Sequence, residues 1–179
     1  MNEEIARVVF RKWFAAAILV VVALVVFLLL PGVSHALTEE QKALVGLKGV
    51  NVLVEAMHPE AERLGLTRDQ IKTDVELRLR KAGVRVLTEE EVFKMPGMPY
   101  LYVRVGTLAA QDIPIIAFSI RVELKEWGRF TGGFEGFGGL WDTTSLGTVG
   151  TKNIRKIRES LGDLVDDFIN NYLAANPKK

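Results

Sequence analysis

The sequence predicts an α+β fold: a two-layer sandwich in which a mixed sheet, built from a βαβ unit and an antiparallel meander, is covered by two main helices and preceded by an N-terminal signal helix. Three observations predict it. Two segments carry a single apolar stripe at helical spacing, several others alternate apolar with polar residues, and the longest apolar run stands apart near the N-terminus.

That run comes first. Arg7, Arg11 and Lys12 precede an unbroken apolar stretch from Phe14 to Leu30, which Pro31 and Gly32 end. Ser34 and Ala36 then place small side chains three and one positions before a cut after Ala36, the pattern a signal peptidase accepts. Residues 1–36 therefore read as a cleaved secretory signal peptide. The 17 apolar residues would make a helix of roughly 25 Å against a hydrocarbon core of about 30 Å, so a retained transmembrane anchor is the alternative. On either reading the basic flank stays cytoplasmic and the remainder is exported. Its location is the periplasm after cleavage, or the inner-membrane surface without it.

Residues 37–48 are polar and weakly patterned and read as a linker to a domain spanning 49–176, with a short tail at 177–179. From Val50 to Met57 buried and exposed positions alternate as in a strand. Thr67 with Gln70 three residues on has capping-box spacing, and Ile71, Val75, Leu79 and Ala82 follow at helical spacing up to Gly83. Lys72 with Glu76 and Asp74 with Arg78 lie four apart, the spacing of exposed helical ion pairs. Gly83-Val84-Arg85-Val86-Leu87 leaves this helix at once and reads as a second, parallel strand. Thr88 with Glu91 repeats the capping box for a short helix that Pro96 and Pro99 end. Alternation returns in Tyr100–Val105, in a strand from Pro114 to Trp127, and in Leu140–Val149, which together predict a meander. The last helix runs from about Thr151 to Ala175, with Ile157, Leu161, Val165 and Phe168 on its stripe.

The order strand, helix ending in Leu-Arg-Lys-Ala-Gly-Val, strand, Tyr-Leu-Tyr-Val, long strand, Trp-Asp-Thr-Thr-Ser-Leu-Gly-Thr-Val-Gly and terminal helix resembles a group of uncharacterised bacterial exported proteins. It is similar to the anticodon-binding-domain-like fold of the TolB N-terminal domain and related periplasmic assembly proteins. The resemblance covers about Gly49 to Asn176 and implies a fold and an envelope setting. It carries no catalytic motif.

Composition removes several chemistries. The chain of 179 residues has no Cys, so disulfides, thiolate metal sites, catalytic thiols and an acylated N-terminal Cys are excluded. Its 23 basic and 22 acidic residues leave a net charge of +1, without the basic footprint of a nucleic-acid binder. His58 beside Pro59 has no metal-ligand spacing with Glu60 or Glu62, and reads as a loop residue. Ser119, Ser145 and Ser160 lack a nucleophile elbow. Glu89, Glu90 and Glu91 complement a helix dipole, while Asp163, Asp166 and Asp167 lie on a straight helix that cannot wrap a calcium ion. The glycines from Gly132 to Gly139 join two strands rather than opening a helix, so they read as a hairpin connection and not a phosphate cradle.

One feature is not bland. Trp127, Phe130, Phe134, Phe137 and Trp141 surround this glycine-rich stretch, and so much aromatic surface on permissive backbone needs a cover. They are the candidate partner contacts, to an envelope protein or to a second copy; membrane contact is expected only through the N-terminal segment unless this loop inserts. The expectation is an exported, non-enzymatic protein-binding domain with no cofactor, an envelope adaptor or assembly factor. The alternatives are a carboxylate-based envelope hydrolase, which needs two acids facing across a cleft, and a small-ligand carrier, which needs a pocket of a few hundred Å³.

Overall fold

Alternation of apolar and polar residues in four segments, and one apolar stripe in each of two helices, assemble around a single sheet. The computed structural model describes residues 36–177. The apolar run, the basic flank and all but the last residue of the cleavage pattern lie outside them. The elements are α1 (Glu39–Lys42), β1 (Asn51–Val54), α2 (Pro59–Arg63), α3 (Arg68–Lys81), α4 (Glu89–Val92), β2 (Tyr100–Ala109), β3 (Ile115–Arg129), β4 (Glu135–Gly150), a 3-10 turn (Thr151–Asn153) and α5 (Arg155–Ala175).

The sheet order is β1-β2-β3-β4, with β1 parallel to β2 and the other pairs antiparallel. The fold is α+β with a mixed sheet, and two helices, α3 and α5, supply the covering layer. Val52, Val54, Leu101, Val103, Val105, Ile116, Ile120, Val122 and Leu124 point from the sheet into the core. Ile71, Val75 and Leu79 of α3 and Ile157, Leu161, Val165 and Phe168 of α5 meet them there. Alternation at period two and stripes at period 3.6 thus bring these side chains to the shared side, while Leu53, Leu77, Trp127, Phe137 and Leu146 of the same elements stay exposed.

Three expectations are corrected. The parallel partner of β1 is β2, not the segment after α3. Val86 forms only an isolated bridge with Val50, and the adjoining Val84 and Leu87 bury their side chains without extending the ladder. The capping box of α4 begins at Thr88, so the chain turns into a helix before a strand can grow. Residues 37–48 are not a linker. Thr38 and Gln41 form a reciprocal capping box for α1, Leu44 is fully buried, and Asn176 clasps the segment by accepting from the Gly46 N–H and donating to the Leu44 carbonyl, each at 2.8 Å. A single deeply placed Leu gives no periodicity to detect. The expected Asp74–Arg78 pair is also absent. Asp74 binds Arg158 Nη2 at 2.7 Å and Arg78 binds Asp166 at 2.6 Å, so both salt bridges cross from α3 to α5. Gly162 of α5 permits this approach, since a Cβ there would collide with the Arg78 guanidinium.

Candidate functional site

One sheet face lies under the helices and the other is uncovered by any element among the described residues. Parity places Leu53 and Glu55 of β1, Tyr100, Tyr102 and Arg104 of β2, Arg121, Glu123, Lys125 and Trp127 of β3, and Phe137, Asp142, Thr144 and Leu146 of β4 on the open face. The carboxylates here are engaged. Glu55 pairs with Arg104 at 3.1 Å, Glu123 with Lys125 at 3.3 Å, and Asp142 with Arg121 at 3.3 Å. Burial, then the hydrogen bond to Glu55, hold the Tyr102 phenol above its ordinary range. The Lys125 ammonium lies 4.6 Å from the Tyr102 ring centroid, a cation–π contact.

At the β1 end of this face a groove of about 720 Å³ opens. Asn51, Val52 and Leu53 line its β1 side, the segment Val86–Glu89 flanks it, and Tyr100, Tyr102 and Phe137 present aromatic rings to it. Its other wall is one row of α3, where Arg68, Lys72, Glu76 and Arg80 recur every fourth residue and so share one side of the helix. Glu76 is held between Arg80 at 2.8 Å and Lys72 at 3.9 Å. Arg68 has no ion-pair partner among the described residues. The lining holds four cations (Arg68, Lys72, Arg80, Lys125) against two carboxylates (Glu76, Glu89), a formal excess of two positive charges. The groove is therefore cationic on one side and aromatic on the other.

The five aromatic candidates do not form one surface. Trp127 and Phe137 pack edge to face at 5.2 Å, with Tyr100 a further 5.5 Å from Phe137, and they continue the groove's aromatic wall. They are exposed by 41% and 46%. Phe130 and Phe134 sit at the hairpin tip, 5.9 Å apart, on the other side of the ribbon. Their rings lie over Gly138 and Gly136, where an added Cβ would come within 2.8 Å of ring carbons. The glycines thus serve as seats for phenylalanine rings. The turn itself is only residues 130–134, so much of the expected glycine-rich connection is strand. Trp141 is a correction: at 3% exposure it belongs to the core, 5.2 Å edge to face from Phe168, and cannot touch a partner in this fold.

The β3–β4 ribbon continues beyond the end of β2. β2 stops pairing with β3 at Tyr100–Lys125, and the residues beyond pair only with β4, apart from the Trp127 N–H, which donates to the Gly97 carbonyl at 2.6 Å.

Sequence reasoning missed the groove's cationic wall. Its trace was the four-residue spacing of Arg68, Lys72, Glu76 and Arg80, but only the tertiary fold brings that row beside Tyr100 and Tyr102. His58 lies in the turn entering α2, where its carbonyl accepts from the Ala61 N–H. Among the described residues no group of three or more His, Cys, Asp or Glu side chains is placed to hold a metal ion, and no helix is long and apolar enough to cross a membrane. In comparisons with known proteins, no family model and no curated protein matches the chain.

Proposed function

We propose that this chain is an exported, non-enzymatic protein-binding domain, an envelope adaptor or assembly factor working in the periplasm, or from the inner membrane if residues 1–36 are retained. The observation that carries the reading is the groove with one cationic and one aromatic wall. Such a groove suits an extended acidic segment of a partner, with carboxylates facing Arg68 and Lys72 and an apolar anchor against Tyr100 and Phe137. The resemblance to periplasmic assembly proteins points the same way.

The test compares capture from envelope extract by the wild type with that by two variants, Arg68→Glu/Lys72→Glu and Trp127→Ser/Phe137→Ser. A specific partner lost from both, with melting unchanged, supports the reading. A partner retained by both refutes it. The groove's volume also favours one second reading, a small-ligand carrier, because ligand pockets commonly measure about 300–1,000 Å³. Native mass spectrometry showing a small molecule displaced by Lys72→Glu would favour carriage.

A further inference from the structure

The two edges of the sheet are treated differently. β1 is short, and its outer side is closed where the Val50 N–H donates to the Arg85 carbonyl at 3.0 Å and the Leu87 N–H to the Val50 carbonyl at 2.8 Å. β4, at the other edge, runs from Glu135 to Gly150 and pairs only with β3.

The direction of its backbone groups follows from the ladder. The Thr151 N–H donates to the Pro114 carbonyl, next to the pair Ile115–Gly150. Stepping by two residues, Val149, Gly147, Ser145, Thr143 and Trp141 aim their N–H and C=O at β3, while Thr148, Leu146, Thr144 and Asp142 aim theirs outward. The Ala110 N–H bond to the Ile115 carbonyl gives the same parity from the β2 side. Four N–H and four C=O groups are thus presented in a row without a backbone partner among the described residues.

Proteins usually blunt such an edge with Lys, Pro, a bulge or a cover. From Asp142 to Gly150 there is no Lys and no Pro, the bulge lies before Trp141, and the lone charge, Asp142, is taken up by Arg121. Leu146, in the middle of the row, is 82% exposed.

We propose that β4 pairs antiparallel with β4 of a second copy of this chain about a two-fold axis at Ser145, continuing two four-stranded sheets into one of eight strands. A second copy is the fitting occupant because the row is self-complementary. With Ser145 facing its counterpart, Thr144 pairs with Leu146 and Asp142 with Thr148 of the other copy, and the outward groups from Asp142 to Thr148 are all satisfied. Moving the axis one residue towards the N-terminus runs the ladder into the bulge at Leu140. One residue the other way leaves Leu146 facing Leu146 and brings Asp142 opposite Gly150, the last residue of the strand. In the Ser145 register no Asp142 meets its copy, and both helix layers fall on one side of the joined sheet. The paired stretch, residues 142–148, excludes Phe137, the β4 residue that lines the groove, so either proposal can fail alone.

The native chain has no Cys, so introduced thiols report unambiguously. In the full-length protein, single Cys substitutions at Thr144, Ser145 and Leu146 are oxidised and scored for cross-linked dimer. The highest yield is expected at Ser145, where the Cα–Cα distance of a facing pair suits a disulfide. Thr144→Pro removes an outward N–H that the β3 ladder does not use, and Leu146→Lys places a charge in the row. Both are expected to convert a concentration-dependent dimer to monomer with unchanged far-UV circular dichroism; Leu146→Lys decides the matter should the proline variant not fold. A chain that stays monomeric at about 100 μM, well above the Kd of a stable homodimer, overturns the proposal. So does cross-linking indifferent to position, or association that survives the edge substitutions.

Discussion

Phe168→Ala tests the central packing claim. Phe168 is fully buried in α5, with Trp141 of β4 edge to face at 5.2 Å and Tyr172 at 6.3 Å. Truncating a buried Phe to Ala costs about 3–5 kcal/mol, of which the aromatic pair accounts for roughly 0.5–1.5 kcal/mol. The upper part of that range applies, because Trp141 is held by its strand and cannot collapse into the space. At roughly 4 °C per kcal/mol for a unit of this size, the melting temperature falls by about 16–20 °C. Thermal and urea unfolding of the full-length chain, followed by near-UV circular dichroism, measures it, and the urea slope should stay constant. Phe168→Leu keeps most of the volume and should cost less than about 1.5 kcal/mol. A loss under about 1 kcal/mol for the Ala variant would refute the reading that α5 and β4 close the core through this ring.

Trp141→Phe is expected to be within about 1 kcal/mol of wild type, because the buried Nε1–H has no acceptor among the described residues and its removal offsets the lost volume; a calorimetric loss of several kcal/mol would mean that the N–H is bonded. Glu126, packed under Gly97, has its carboxyl held above the usual range by burial. A carboxyl raised on folding stabilises most below its unfolded pKa and loses that contribution as pH rises through the folded value, so Glu126→Gln should melt progressively higher than wild type from about pH 4 to pH 7. A constant gap across that range contradicts it. If the signal reading holds, intact-mass analysis of the protein recovered from cells should show a chain beginning at Leu37; a mass that retains residues 1–36 refutes cleavage.

Most of the architecture was legible because burial imposes periods. The alternation in Ile116–Leu124 and the stripe from Ile157 to Phe168 each identify an element and the side it buries. Capping at Thr67 and Thr88 marked helix starts to the residue, since the side-chain oxygen must reach the Gln70 and Glu91 N–H groups. At Glu91 the Thr88 backbone N–H, followed by Arg85, holds the carboxyl below its usual range, which the spacing also implies. What was illegible depends on partners distant in sequence. Leu44 is core because α5 returns to it, and Asp74 prefers Arg158 to Arg78 because α5 lies alongside α3.

The aromatic cluster shows why a candidate site can be read correctly in part. Phe137 and Trp141 are four residues apart, so unbroken alternation would put both on one face of β4. The pairing Lys125–Gly139 next to Leu124–Trp141 leaves Leu140 without a partner, and this extra residue reverses the parity of the strand. Trp141 therefore enters the core against Phe168 while Phe137 faces outward against Trp127 and Tyr100. The bulge divides one aromatic run into a core anchor and a surface wall, and it completes the groove on the side opposite Arg68 and Lys72. Nothing in the local sequence distinguishes Leu140 as the unpaired residue; the division follows from the demand that Trp141 fill the space above Phe168 while the hairpin continues beyond β2.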